Sequence, residues 1–227
     1  MKTWKVILSV FVLLIIAGIL VVSSFITTNF YNYKTVGNIP APIGYERVSV
    51  KSDSYGAYLR ALPLKKRGER VRNNKSGYLW KYNLIASAVV DKPCIRRSED
   101  CADVCYHLYA EYLFTQGRYS DICFKNHSGQ KLCYSGGASN DKFLKYMNQV
   151  FDGCSTYSIA HFVNRVDITD IQIGDVFCFP ARGNKMGHAA TVVDMAVNKK
   201  TGKKAVLIVE GNYPGVSIHL VRNPNLF

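Results

Sequence analysis

The order of the predicted elements constrains the fold most strongly, because helical patterns come first along the chain and strand patterns follow. Apolar spacings of three and four predict helices over residues 55–62, 98–116, 141–151 and 158–163. β-Branched runs separated by turn residues predict four successive strands over 176–179, 189–196, 205–210 and 216–221, and one earlier strand over 84–90. Helices followed by an antiparallel meander are typical of an α+β domain.

The composition is that of a folded and strongly basic protein. Of the 227 residues, 48% are hydrophobic and 20% are charged, which excludes low-complexity disorder and suits one domain. The 29 Lys and Arg residues outnumber the 16 Asp and Glu residues, and the formal net charge is +13. This charge favours polyanionic partners, but it does not distinguish nucleic acid from anionic lipid or cell-wall polymer.

The N-terminal residues predict export. Lys2 and Lys5 precede an apolar run over residues 6–22, which is the pattern of a secretory signal. If the run extends to Ile26, its helix is also long enough to span a bilayer of about 30 Å. Both alternatives export the rest of the chain and disfavour a nucleic-acid partner. The predicted division is a signal sequence or transmembrane anchor over 1–28, a tether over 29–44 and one domain over 45–227.

One predicted loop is rich in basic residues, namely Lys65, Lys66, Arg67, Arg70, Arg72 and Lys75. The loop is either simply solvated or forms a patch that holds the protein near an anionic wall polymer or lipid. The expected partners are peptidoglycan or another anionic envelope polymer, and the membrane through the N-terminal segment. We expect the protein to be a monomer.

The exported part contains seven cysteines, at positions 94, 101, 105, 123, 133, 154 and 178. An odd number leaves at least one thiol unpaired if the others oxidise. No two of them have the C-x-x-C spacing of structural zinc sites, so neither a metal nor a cofactor is predicted. The unpaired thiol therefore needs a role.

One thiol lies where a helix would activate it. Ser98 is the predicted N-cap and Gly117 the stop of the strongest helix, so Cys101 falls in the first turn, where free N–H groups favour a negative charge. Cys101 also shares one inward face with residues 104, 105, 108 and 112. These conditions favour a thiolate nucleophile. The alternative is a core thiol or half of a disulfide. Glu99 and Asp100 oppose a thiolate, so a cationic partner is needed.

His188 is the predicted partner among five histidines. It follows Gly187 at the mouth of a strand, where a glycine gives a substrate access to the imidazole. An imidazole beside a thiol can take its proton, and the resulting ion pair offsets the nearby carboxylates. His107 lies about 240° around the helix from Cys101 and faces elsewhere. The other three, at positions 127, 161 and 219, are expected to be surface or packing residues.

A third residue is expected to orient the imidazole. The turn between two predicted strands centres near residue 200, so residue 188 lies opposite about residue 212, and residue 210 opposite about residue 190. Glu210 and Asn212 are then the nearest polar side chains, and either can accept a hydrogen bond from the ring nitrogen that faces away from the thiol. The alternative for Glu210 is that its strand ends there and its carboxylate points to water.

The order of these residues resembles the papain-like arrangement of NlpC-type cell-wall peptidases and related amidases. Their signatures are Asp-Cys at a helix start, and Gly-Asp-Leu-hydrophobic followed by Gly-His-Val. The corresponding segments here are 100–101, 174–177 and 187–189. The resemblance implies an α+β fold with a papain-like core, in which helices pack on an antiparallel sheet after an N-terminal apolar helix.

A wider resemblance covers nearly all of the exported region. Residues 58–64, 101–103, 109–113, 187–188 and 201–204 resemble the exported bacterial proteins of domain-of-unknown-function family 4846. Members are often lipoproteins, whereas this chain lacks the lipid-accepting cysteine, and glutamine is usual in the family where Glu210 stands. The resemblance implies a protein of the bacterial cell envelope, either membrane-anchored or periplasmic.

Together, the residues and the resemblances predict an exported thiol hydrolase that cleaves an amide bond in peptidoglycan stem peptides. Cys101 attacks the carbonyl carbon, His188 acts as base and then as acid, and Glu210 or Asn212 orients the imidazole. The alternative is a non-catalytic envelope binding module on an inactive papain-like scaffold. A metal site built from the two thiols of the helix and His107 is disfavoured, because His107 points away from them.

Overall fold

The computed structural model describes residues 32–222, and the predicted signal or anchor over 1–28 lies outside them. The described part is α+β, which confirms the predicted class. Its α-helices are α1 (Tyr55–Ala61), α2 (Cys101–Thr115), α3 (Asn140–Gly153) and α4 (Thr156–Phe162). Its strands are β1 (Tyr45–Arg47), β2 (Ala86–Val89), β3 (Cys123–Lys125), β4 (Lys131–Cys133), β5 (Val176–Phe179), β6 (His188–Asn198), β7 (Lys204–Glu210) and β8 (His219–Val221).

A six-stranded antiparallel sheet forms the centre of the fold. Strands β5, β6, β7 and β8 are neighbours in chain order, which confirms the predicted meander, and β2 pairs with β8. Strand β6 has 11 residues, which is long enough for β5 to pair with its start and for β1 to pair with its end. Strands β3 and β4 form a separate hairpin, which a disulfide between Cys123 and Cys133 closes.

The hairpin of β6 and β7 changes register once along its length. Val197 pairs with Lys204 near the turn, whereas Thr191 pairs with Val209 farther along. The two pairings differ by one residue, because Val193 forms a β-bulge in β6. Extended by one residue beyond the last pair, the second register aligns residues 190 and 210, as the sequence predicts.

The residue after the bulge is held by buried ion pairs. The Asp194 carboxylate lies 2.7 Å from Nε of Arg47 and 2.6 Å from Nε of Arg60. It also accepts a hydrogen bond from the N–H of Met195 at 2.8 Å. The side chain of Asp194 is 4% exposed, so these partners replace its hydration and fix the backbone next to Val193.

Helix α2 is buried on most of its circumference. It begins at Cys101, and Asp100 is its N-cap, whose carboxylate accepts hydrogen bonds from the N–H groups of Ala102 and Asp103. The predicted N-cap, Ser98, is therefore wrong. Eleven of the 15 helical residues are buried, so the opposite side of the helix is covered as well as the predicted inward face.

Part of the predicted tether packs on the domain. Val36 is fully buried in the same apolar cluster as Leu59, and Thr35 forms a β-bridge with Pro63. Packed structure therefore begins ahead of residue 45. Among residues 32–222, no helix is both long enough and apolar enough to cross a membrane.

Candidate active site

Cys101 is the first residue of α2, and its thiol is free. The residue is 6% exposed. The Asp100 carboxylate occupies the N–H groups of Ala102 and Asp103 at 3.0 and 3.2 Å, whereas the N–H of Cys101 has no acceptor within residues 32–222. The thiol therefore lies beside one free donor at the positive end of the helix dipole.

His188, the first residue of β6, lies within hydrogen-bonding range of Cys101. Its Nε2 is 2.6 Å from Oε2 of Glu210, so Nδ1 is the nitrogen left for the thiol. The hydrogen bonds with Cys101 and then with Glu210 raise the pKa of His188 to about 10, although burial lowers it. The structure thus brings Cys101, His188 and Glu210 together, and the charged imidazole is favoured.

Glu210, rather than Asn212, contacts the imidazole. Glu210 is 5% exposed, so its carboxylate does not point to water at the end of its strand. Asn212 is half-buried, and within the described chain it forms no hydrogen bond with His188. The choice that the sequence leaves open is therefore resolved geometrically in favour of Glu210.

A second histidine, which sequence reasoning assigns to the surface or to packing, contacts the same carboxylate. His219 pairs with Glu210 across β7 and β8, and its Nε2 lies 3.3 Å from Oε1 of Glu210. Its Nδ1 lies 2.9 Å from the carbonyl oxygen of Ser217. Because a carbonyl only accepts, Nδ1 carries a proton, and Nε2 has no hydrogen-bond partner of good geometry among the described residues.

The two imidazoles together hold Glu210 in its charged form. Burial alone would raise the pKa of this carboxyl group. The hydrogen bond from His188, together with the nearby His219 ring at 3.3 Å, outweighs burial and lowers the pKa to about 2. One buried carboxylate is thus shared by two rings, of which only the His188 ring contacts the thiol among these described residues.

Gly211 allows the end of β7 to approach the start of α2. A Cβ atom at this position would lie 2.8 Å from the carbonyl oxygen of Asp100 and 2.8 Å from Cγ2 of Val104, which is too close for either neighbour. Glycine therefore makes the contact between the two elements. This contact brings Glu210, the residue before Gly211, to the N-terminal end of the helix that carries Cys101.

Gly187 has a different role from the expected one. The sequence suggests that this glycine gives a substrate access to His188. A Cβ atom there would instead lie 2.7 Å from the backbone nitrogen of Ala181 and 2.9 Å from the carbonyl oxygen of Phe179, and it would also clash with the hydroxyl of Thr156. Gly187 is therefore required by packing, and substrate access to His188 past this glycine stays a prediction.

The sequence matches the family described as Domain of unknown function (4846) over residues 36–138 and 135–226. The chain belongs to this family. The matched segments include Cys101, His188, Glu210 and His219, so the candidate site lies within the family's domain. Searches of the curated proteins and of the solved structures found no significant match.

The two other thiols around the site of this family 4846 protein are held in their neutral form. Burial raises the pKa of Cys105 to about 12 and that of Cys178 to about 11. Cys105 donates to the carbonyl oxygen of Cys101 at 3.3 Å, and Cys178 donates to that of Thr156 at 3.4 Å. Of these three described thiols, only Cys101 contacts an imidazole.

His107 belongs to a separate buried network. Its Nδ1 lies 2.7 Å from Glu99 and its Nε2 lies 3.0 Å from Glu111, which also pairs with Lys92 at 2.5 Å. Burial lowers the pKa of His107, but the hydrogen bonds with Glu111 and Glu99 raise it to about 9. Glu99 thus has a counter-charge of its own. Within residues 32–222, no group of three His, Cys, Asp or Glu is placed to hold a metal ion.

Exposed apolar side chains flank the candidate site. Phe179 pairs with His188 across β5 and β6, its ring lies 5.9 Å from the imidazole, and it is 60% exposed. Met186 and Tyr213, which are close in sequence to His188 and Glu210, are each 64% exposed. The exposed Phe179 ring can bind an apolar part of a substrate beside the imidazole.

Proposed function

We propose that this protein is a thiol hydrolase that cleaves an amide bond, with a papain-like (NlpC-type) arrangement of Cys101, His188 and Glu210. One observation carries the proposal: a free thiol at a helix start contacts an imidazole that a buried carboxylate holds at 2.6 Å. A nucleophile, a base and an orienting group in this order are the parts that nucleophilic acyl transfer requires.

The first half of the proposed reaction forms an acyl-enzyme. The Cys101 proton passes to His188, and the thiolate attacks the carbonyl carbon of the amide. The oxyanion that forms accepts a hydrogen bond from the free N–H of Cys101, and such a donor is worth about 3 kcal/mol in the transition state. The His188 imidazolium then protonates the departing nitrogen, the C–N bond breaks, and an acyl thioester remains.

The second half returns the enzyme to its starting state. His188, now neutral, takes a proton from water while the water oxygen attacks the thioester carbonyl. The C–S bond breaks, the carboxylic acid leaves, and the imidazolium is again paired with the thiolate. Glu210 keeps its charge throughout and holds Nε2 of His188, so that the ring presents Nδ1 to the sulfur and the substrate.

We propose peptidoglycan stem peptides as the substrate. The predicted export of the chain supports an envelope location, and the motifs that resemble NlpC-type enzymes support a cell-wall amide. The basic residues at positions 65, 66, 67, 70, 72 and 75 are all exposed, which suits an anionic wall polymer.

A Cys101→Ala variant tests the proposal. The purified full-length variant should lose all hydrolysis of purified cell-wall fragments, measured by mass spectrometry of the released peptides, while its thermal unfolding stays unchanged. Cys94→Ala removes another free, half-buried thiol and is the matched control that should keep full activity. Equal hydrolysis by the Cys101→Ala variant and the control would refute the assignment.

The second candidate function is a non-catalytic envelope binding module. The specific observation in its favour is that Cys101 is only 6% exposed. Iodoacetamide labelling near pH 6 separates the two candidates, because only an accessible thiol that is already a thiolate alkylates quickly there. Rapid labelling of Cys101 that disappears in a His188→Ala variant supports the hydrolase, and no labelling of Cys101 in the native protein supports the binding module.

A further inference from the structure

A second concave site lies along the sheet, away from Cys101 and His188. It has a volume of about 650 Å³, and it is lined by the second half of β6, the first five residues of β7 and the neighbouring parts of β1, β2 and β8. Residues 39–42 form one wall. Most of the lining is aliphatic, and the volume lies within the range of about 300–1,000 Å³ that small-molecule sites have. We call this site the sheet groove.

Three of the four charged side chains in the sheet groove already have partners. Arg47 and Asp194 pair with each other at 2.7 Å. Lys204 donates to the carbonyl oxygens of Thr169 at 2.6 Å and Ile171 at 3.0 Å. The charges of Arg47 and Asp194 offset each other, whereas Lys204 keeps its charge but already donates to two carbonyl oxygens.

Arg222 is the exception. Its Nε and Nη1 atoms are buried, and neither has a hydrogen-bond partner within the described chain. Burial without a counter-charge also lowers the pKa of this guanidinium group. The residue as a whole is only partly buried, but leaving two buried N–H groups of a cation without acceptors is costly.

We propose that the sheet groove binds a long-chain fatty acid, whose carboxylate accepts hydrogen bonds from Arg222 and whose hydrocarbon chain lies on the aliphatic lining. A carboxylate supplies both the missing acceptors and the missing charge. The aliphatic wall, which includes Pro40, Val206 and Ile208, excludes water from a hydrocarbon chain and offers it no polar partner. This proposal is independent of the hydrolase, because none of the groove's lining residues belongs to the candidate active site.

The test uses the full-length protein in the membranes of the cells that produce it. The probe is hexadecanoic acid with a diazirine in its chain, which is photolysed and located by mass spectrometry of the digested protein. The adducts should fall on the groove segments around residues 39–47 and 194–208, and unlabelled hexadecanoate should compete them away. The same chain with an alcohol in place of the carboxylate should label the groove about tenfold less, because the ionic hydrogen bonds are missing.

Substitution of the guanidinium gives the decisive comparison. Arg222→Gln should lower groove labelling about tenfold. Its thermal unfolding should be equal to or higher than that of the wild type, because two buried N–H groups that lack acceptors are removed. Arg118→Gln removes an exposed arginine that pairs with Asp121 at 2.7 Å, and it should label like the wild type. Ala205→Phe fills the groove with Arg222 retained, and it should also abolish labelling.

Three results would overturn the proposal. The first is equal groove labelling of the Arg222→Gln and Arg118→Gln variants. The second is labelling confined to segments outside the groove. The third is equal groove labelling by the carboxylate probe and by the alcohol probe, because the guanidinium would then not bind the head group.

Discussion

Replacing Glu210 with glutamine should lower the pKa of His188. Oε2 of Glu210 lies 2.6 Å from Nε2 of His188, and the pair contributes to the raised pKa of about 10. Glutamine keeps the shape and one acceptor but removes the charge. A hydrogen bond to a charged group is worth about 1.5–3 kcal/mol, which corresponds to about one to two pKa units. We therefore expect the His188 midpoint to fall to between about 8 and 9 in Glu210→Gln.

The measurement is an NMR titration of the histidine side chains in the full-length protein, with His188 assigned from the spectrum of a His188→Gln variant. Glu46→Gln is the matched control, because Glu46 forms an exposed ion pair with Lys199 at 2.6 Å. Its His188 midpoint should stay at the wild-type value. If amide hydrolysis is observed, its rate should fall at high pH where the imidazolium loses its proton, and Glu210→Gln should move that fall to lower pH by the same amount.

An unchanged His188 midpoint in Glu210→Gln would refute the reasoning. It would mean that the carboxylate does not stabilise the imidazolium, whatever its distance. A midpoint that falls while the rate profile stays in place would instead show that His188 is not the acid of the reaction. The first result bears on the electrostatics of the pair and the second on the proposed mechanism.

Two further predictions concern stability. The pKa of His107 is raised from 6.5 to about 9, so its contribution to stability is complete below pH 6.5 and is lost as the pH rises through 9. His107→Gln should therefore lower the free energy of unfolding, measured in urea at pH 6, by about 3 kcal/mol. An equally large difference from the wild type at pH 10 would contradict this prediction. Gly211→Ala places a Cβ 2.8 Å from the Asp100 carbonyl oxygen, so it should lower the free energy of unfolding by about 1–3 kcal/mol and separate Glu210 from the start of α2. An unchanged urea midpoint of unfolding would show that the backbone adjusts freely.

The sequence predicts the large elements of this fold and the four strands of the meander, and it misses three short strands. The meander and the central helix are recognised because each has several turns or alternations of pattern, and β5 occupies the predicted residues 176–179. Strands β1, β3 and β4 have three residues each, which is too short for a period to be detected. The disulfide between Cys123 and Cys133 depends on the β3–β4 pairing and is hidden for the same reason.

The N-cap of α2 shows how tertiary contacts override a local preference. Ser98 has the right residue type for a cap, and so does Asp100. Glu99 turns inward, where it pairs with His107 and accepts from the N–H of Ile95, and it is 1% exposed. The helix therefore begins after Asp100, and Cys101 becomes its first residue. The shift moves the thiol closer to the positive end of the helix dipole than the sequence predicts.

His219 could be found from the sequence only by knowing how β7 and β8 pair. Nothing in its own neighbourhood distinguishes it from a packing residue, since it lies in a strand among apolar side chains. Its place opposite Glu210 depends on the length and path of the connection over residues 211–218. Cys101 and His188 could be selected earlier because each lies at the start of an element, where chemistry and local structure coincide.

The register of β6 against β7 near Glu210 agrees with the prediction, but the turn between the two strands does not by itself produce this register. The turn between these strands places Val197 opposite Lys204. Continued without interruption, that register would place Glu210 opposite Thr191. A shift of one residue reverses the side of the sheet to which a side chain points. Glu210 would then face away from the side on which His188 lies.

The β-bulge at Val193 removes this conflict. It adds one residue to β6, so Glu210 aligns with residue 190 and contacts His188 at 2.6 Å. Asp194 follows the bulge directly and pairs with two half-buried arginines, so these ion pairs stabilise β6 next to the bulge on which the position of Glu210 depends. The geometry of the candidate site thus depends on an extra residue and on charges outside the site. The position of the turn alone predicts the right alignment of Glu210, but it does not reveal that the β-bulge at Val193 produces this alignment.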